Sequence, residues 1–184
     1  MAAVETIQIP LGYDAPDFSL LDTISDQTMT LADFKSDHAT VVIFICNHCP
    51  FVKHIWDELI ALGNDYLPKG VKFVAISSND AENYPQDGPD KMKDLAVATK
   101  FPYPYLFDET QKVAKAYEAA CTPDFSIFDA NLKCVYRGQL DNSRPSNGLP
   151  VDGKDIRAAL DQLIAGNPVA SEQRPSIGCN IKWK

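Results

Sequence analysis

Apolar residues recur along the chain in two rhythms. Phe18, Leu20, Met29 and Leu31 alternate with polar positions across Asp17 to Leu31, which predicts an N-terminal β-hairpin. Thr40 to Cys46 is continuously apolar and β-branched, the pattern of a strand covered on both faces. After Cys49-Pro50 the period changes: Phe51, Ile55, Leu59 and Leu62 predict a helix ending near Leu67-Pro68-Lys69-Gly70. Val71 to Ile76 is a second buried strand, Asn79 to Pro89 a polar loop, and Asp90 to Thr99 a helix. Tyr105 to Phe107 suits a short strand, and Thr110 to Ala120 a helix running up to Cys121-Thr122-Pro123. Asp124 to Phe128 and Lys133 to Leu140 flank an Asp129-Ala-Asn131 turn, as an antiparallel hairpin does. Asp155 to Ala165 is an amphipathic helix stopped by Gly166-Asn167-Pro168. Pro175 to Lys184 has no periodicity.

Alternating strands and helices, then a hairpin and a last helix, imply an α/β fold with a mixed sheet and helices on both faces. The chain has 184 residues, which suits one domain over 1–184, with 167–184 as a C-terminal tail. Asp plus Glu is 25 against 17 Lys plus Arg, a net charge of -8. That balance argues against nucleic acid as a general partner, because such binding rests on cations displacing counterions. It argues equally against docking on anionic lipid. The longest strongly apolar run, Val41 to Ile45, is far below the roughly 20 residues of a membrane helix. The N-terminus has no basic start and no apolar stretch of secretory length. Five cysteines, an odd number, do not make a disulfide scaffold, so the expected compartment is a reducing cytoplasm.

Cys46-Asn47-His48-Cys49-Pro50 carries the most specific chemistry, at the passage from a buried strand into a helix. A thiolate there is stabilised by the free N–H groups and dipole of the helix start. A second thiol three residues on is within reach to resolve a mixed disulfide. The expectation is Cys46 as nucleophile and Cys49 as resolving thiol, with His48 as a possible stabiliser of the thiolate. Two inert buried cysteines, or zinc ligands completed by His48, His54, Cys121 and Cys179, are the competing readings of the same residues.

At these residues the sequence resembles the thioredoxin-like superfamily. Its second mark is Thr122-Pro123 ahead of a late strand. The longer framework is similar to the redoxin branch, which includes the alkyl hydroperoxide reductase/thiol-specific antioxidant proteins. Within it lies a subgroup carrying Cys-Asn-His-Cys-Pro-Phe-Val-Lys (Cys46 to Lys53), Tyr136 to Gln139, and Ser176 to Trp183. The resemblance spans about Gly12 to Lys184 and implies a thioredoxin-like three-layer α/β/α sandwich with a mixed central sheet. It also implies a cis Pro123 beside the cysteines, and substrate-peptide binding by Thr122 and Pro123. Two departures stand out. Val41 to Ile45 lacks the buried acid that thioredoxins carry on this strand. The peroxidatic Pro-x-x-x-Thr/Ser-x-x-Cys motif is missing too, its positions being Ala39 and Ile43 before Cys46, or Val42 and Cys46 before Cys49.

The resulting expectation is a thiol–disulfide oxidoreductase. It exchanges electrons with protein disulfides or dithiols and draws on a thiol reductant system, with no organic cofactor and no metal. A thiol peroxidase (antioxidant) using Cys46 and a non-enzymatic thiol metal binder are the alternatives. Cys121 and Cys179 are possible auxiliary thiols, Asp124 a possible proton carrier near Cys49, and Trp183 a possible anchor for the tail. Cys134 reads as core, as do Phe101, Tyr103 and Tyr105.

Overall fold

The computed structural model describes residues 3–184. Seven strands form the main sheet: β2 (Ser19–Asp22), β3 (Thr28–Thr30), β4 (Thr40–Phe44), β5 (Lys72–Ser77), β6 (Tyr105–Phe107), β8 (Asp124–Phe128) and β9 (Cys134–Gly138). Their order is β3-β2-β6-β5-β4-β8-β9. β4, β5 and β6 are mutually parallel, and β2 and β8 join antiparallel on either side. β2/β3 and β8/β9 are the two predicted hairpins. The central strand β4 is buried at every residue, which is why its sequence is unbroken in hydrophobicity.

The helices are α1 (Pro50–Tyr66), α2 (Pro89–Thr99), α3 (Lys112–Ala116) and α4 (Lys154–Ile164). Side chains of one strand alternate between faces and so divide the core in two. Val41, Ile43, Phe125 and Ile127 pack with α1, α2 and α4; Val42, Phe44 and Phe128 pack with α3 and the N-terminal segment. Val52, Leu59 and Leu62 on α1 are fully buried, each worth about 2 kcal/mol of transfer free energy. The helix starts where Pro50, lacking an N–H, takes its first position. It runs into a 3-10 turn closed by Gly70, whose φ of 86° suits a residue without Cβ. Among the described residues no helix is long and apolar enough to cross a membrane.

Two expectations are corrected here. The helix predicted over Thr110 to Ala120 is only five residues long, Lys112–Ala116, because Gln111 and Glu118 both take positive φ. The tail, which has no periodicity in sequence, does contain a strand. Ile177–Asn180 forms β10, which lies between β1 (Ala3–Glu5) and β7 (Cys121–Thr122) in a second, antiparallel sheet of three strands. Nor is Trp183 the anchor, being 42% exposed. Ile181 is buried in its place, and the Lys182 backbone bonds to the Asn79 and Gln111 side chains.

Candidate functional site

β4 delivers Cys46 to the end of the sheet, and the bend Asn47-His48 brings Cys49 to the mouth of α1. Both thiols are almost wholly buried, at 1% and 0% exposure. The Thr122–Pro123 bond is cis and lies beside them. Thr122 Oγ1 is 3.4 Å from Cys46 Sγ, and Cys49 Sγ is 3.1 Å from the Thr122 carbonyl oxygen. The pair and Thr122 therefore come together.

Around the pair the electrostatic influences favour Cys49 over Cys46 as the more acidic thiol. Cys49, not Cys46, occupies the N-cap of α1, so sulfur 49 lies nearer the positive end of the helix dipole. The Cys49 thiol is held below its ordinary range by a hydrogen bond from Cys46, and by further ones involving Cys179, Thr122 and the Val52 amide. Burial opposes this, but the hydrogen bonds prevail. Cys46 is pushed up by that same hydrogen bond, by burial and by the Asp87 carboxylate. The two thiols therefore titrate as a coupled pair, with the more acidic step leaning to Cys49.

Asp87 was not among the residues singled out from sequence. It comes from the loop between β5 and α2 and is completely buried. One carboxylate oxygen accepts the backbone N–H groups of Asn47 and His48 at 2.9 and 3.2 Å. The other meets His48 Nδ1 at 2.5 Å and Asn79 Nδ2 at 2.9 Å. It supplies a buried acid to this site from a different element than β4. Only its setting in Tyr84-Pro-Gln-Asp-Gly-Pro89 set it apart in sequence, which marks a constrained turn and no chemistry. His48 Nδ1 is 3.9 Å from Cys46 Sγ, but the short contact to Asp87 takes the Nδ1 proton, so the imidazole is not aimed at the sulfur as expected. Its ring stacks on Tyr84 with centroids 5.6 Å apart. Tyr105, buried in the aromatic core with Phe101 and Tyr103, donates its hydroxyl to the Asn47 side chain at 3.1 Å.

Three other candidates are placed as follows. Cys179 Sγ lies 2.8 Å from Cys49 Sγ. It meets Cys49 and not Cys46, with its thiol pushed up to about 12 by burial and by its neighbour. Cys121 is fully buried in β7, with Sγ near Thr6 Oγ1 at 3.8 Å and the Pro123 carbonyl at 3.5 Å. Burial and Asp124 keep it protonated. Asp124 is turned away from the cysteines, because strand alternation sends Phe125 and Ile127 to their face and Asp124 to the other. There it accepts the Ala120 N–H and lies 3.8 Å from Arg137. That corrects its expected place beside Cys49.

Arg137, given no role of its own within the Tyr136 to Gln139 segment, is a buried cation that donates to the Ile7 and Glu118 carbonyls and to Ser126. Cys134 donates to the Tyr136 carbonyl inside the core. Lys53 is exposed and His54 half-buried. Among the described residues, Cys46, His48 and Asp87 bring one potential metal-ligand atom each within 4.8 Å of one another; His54, Cys121 and Cys179 stand outside that group.

The chain matches the AhpC/TSA family over residues 11–137. A solved structure of an uncharacterized conserved protein from Geobacillus kaustophilus is 64% identical, with a TM-score of 0.99 over 100% of this chain and 97% of that one. A hypothetical protein from Sinorhizobium meliloti is 46% identical, with a TM-score of 0.95 over 98% of each chain. The thioredoxin domain of a thiol-disulfide oxidoreductase from Bacteroides vulgatus is 20% identical, covers 71% of this chain and 89% of its own, and has a TM-score of 0.58. The fold is thioredoxin-like. No curated protein matches the chain.

Proposed function

The chain belongs to the AhpC/TSA family of thioredoxin-like redox proteins, and we propose that within it this protein is a thiol–disulfide oxidoreductase acting through Cys46 and Cys49. The observation that carries the reading is the buried Cys46 and Cys49 pair at the mouth of α1, with the Thr122 hydroxyl 3.4 Å from Cys46 Sγ and the Thr122 carbonyl oxygen 3.1 Å from Cys49 Sγ.

That arrangement supplies its own base. As a partner disulfide approaches, Cys49 thiolate takes the Cys46 proton, and Cys46 attacks one partner sulfur. The partner's S–S bond breaks, and its leaving thiolate takes up the proton from Cys49. Cys49 then attacks Cys46 Sγ, releasing the second partner thiolate and leaving a Cys46–Cys49 disulfide. Cys46 is the partner-facing thiol in this scheme because Asn47 and His48 beside it are only half-buried. Cys49 is enclosed by Thr122, Cys179 and Val52. A thiol reductant of a reducing compartment such as the cytoplasm would return the pair to the dithiol, with no bound cofactor.

Cys49→Ser in cell extract is expected to hold partner proteins as disulfides on Cys46 that dithiothreitol releases, whereas Cys46→Ser/Cys49→Ser holds none. Absence of such adducts on Cys49→Ser and on Cys46→Ser alike refutes the reading. A thiol peroxidase is the second reading, and one contact favours it: the Thr122 hydroxyl stands against Cys46 Sγ, supplying in space the hydroxyl that the sequence lacks upstream. Fast, near-stoichiometric oxidation of Cys46 in a stopped-flow peroxide titration supports it, and slow oxidation rejects it.

A further inference from the structure

Cys49 sits between two sulfurs. Cys46, three residues before it in the chain, is electrostatically coupled to it, and Cys179 Sγ is 2.8 Å away. A disulfide bond is about 2.05 Å long, so the Cys49–Cys179 pair needs less than about 1 Å of approach to bond.

The placement of Cys179 is fixed by the backbone around it. Within β10 it pairs with Thr122 on one side and Ala3 on the other. Ser176 Oγ donates to the Pro123 carbonyl at 2.7 Å, just ahead of the strand, and Asn79 accepts the Lys182 N–H just after it. Gly178 lets the strand lie this close, because a Cβ there would come 2.0 Å from the Thr122 carbonyl oxygen. The two remaining cysteines face carbonyl oxygens elsewhere, Cys121 that of Pro123 and Cys134 that of Tyr136.

We propose that Cys179 is a third redox-active thiol, and that the oxidised protein exchanges between a Cys46–Cys49 and a Cys49–Cys179 disulfide. This rests on the dithiol reading above, whose partner disulfide supplies the first bond. The Cys179 thiolate attacks Cys49 Sγ, the Cys46–Cys49 bond breaks, and its electron pair goes to Cys46 Sγ. The proton lost by Cys179 ends on Cys46. No net oxidation occurs: Cys46–S–S–Cys49 plus Cys179–SH becomes Cys49–S–S–Cys179 plus Cys46–SH. Once Cys49 is in a disulfide its charge is gone, removing one of the influences that keep Cys179 protonated, while Lys182 still favours the thiolate. The exchange frees Cys46 beside His48 and ties the C-terminal strand to the start of α1.

The test is peptide mapping of protein oxidised with glutathione disulfide, alkylated and cut with trypsin without reduction. Cys46 and Cys49 share the fragment 36–53, and Cys179 lies in 158–182. Wild type is expected to give both an internally bridged 36–53 and a 36–53/158–182 cross-link within a monomer. Cys46→Ser should give the cross-link nearly stoichiometrically, and Cys179→Ser only the internal bridge. Wild type with Cys179 fully alkylated, or Cys46→Ser that keeps both thiols free or joins Cys49 to Cys121, overturns the proposal. Should Cys46→Ser fail to fold, the wild-type map decides alone. An internal bridge without a cross-link removes only this inference; a cross-link without any internal bridge removes the dithiol reading and the exchange with it.

Discussion

Replacing Gly178 by alanine puts the placement of the C-terminal strand to a quantitative test. The added Cβ would stand 2.0 Å from the Thr122 carbonyl oxygen, 2.5 Å from its carbon and 3.0 Å from Pro123 N. All three are backbone atoms next to a cis peptide, so no side chain can swing aside. β10 must back away from β7 by more than about 1 Å, because protein interiors leave no spare room. The Cys179–Thr122 and Asn180–Cys121 pairings and the Ser176–Pro123 hydrogen bond are then weakened or lost, at about 1 kcal/mol each. Partial exposure of Ile181 and Cys179, which are 1% and 4% exposed, adds about 1–2 kcal/mol. The expected loss is about 3–5 kcal/mol, read from urea unfolding followed by circular dichroism. Native-state alkylation should show Cys179 gaining reactivity in step. A Gly178→Ala protein within about 1 kcal/mol of wild type, with Cys179 still protected, refutes the argument that this glycine sets the strand's position.

Three further outcomes follow from the buried charges. Asp87→Asn removes the carboxylate that helps hold the Cys46 thiol up, so the pH profile of Cys46 alkylation should move to lower pH. The broken bonds to Asn47, His48 and Asn79 should cost about 2–3 kcal/mol, and an unmoved profile counts against the assigned electrostatics. Arg137→Met leaves the Ile7 and Glu118 carbonyls and Asp124 without their cation and should destabilise by about 3–5 kcal/mol; thermal unfolding unchanged from wild type contradicts that. Burial, partly offset by Arg137, raises the Asp124 carboxyl to about 6, against an ordinary value near 3.9. Between those two values the folded chain keeps a proton that the unfolded chain has released. Asp124 therefore withdraws up to about 3 kcal/mol of stability as pH rises from about 4 to 6. Comparing urea midpoints across that window, Asp124→Asn should decline less than wild type, and parallel curves would reject the assignment.

The elements that sequence made legible are those that bury side chains at a fixed period. β4 and β5 stand out as largely apolar runs, and α1 and α4 as helical stripes. β1 and β10 left no such trace, because they are short and are held by backbone pairing on both sides of β10, with Gly178 chosen for closeness and not for burial. The cysteine pair and Thr122-Pro123 were legible because they are contiguous motifs. Asp87 and Arg137 were not, since each acts on residues far away in the chain and only tertiary contacts reveal them. The exact helix start was not legible for a local reason: Pro50 sets the first helical position, and so the N-cap falls on Cys49 and not on Cys46.

Cys49 is common to the Cys46 bridge and to the contact with Cys179, which makes it the most direct point of test. Equilibrate wild type and Cys49→Ser in thiol–disulfide buffers from about −300 to −120 mV, quench with acid, and count alkylated thiols by mass. The account predicts one two-electron transition in wild type that consumes two thiols, and in Cys49→Ser at most one thiol lost, as a mixed disulfide with the buffer. A Cys49→Ser protein that still loses two thiols to an internal bond, or wild type that stays fully reduced across the whole range, would contradict it.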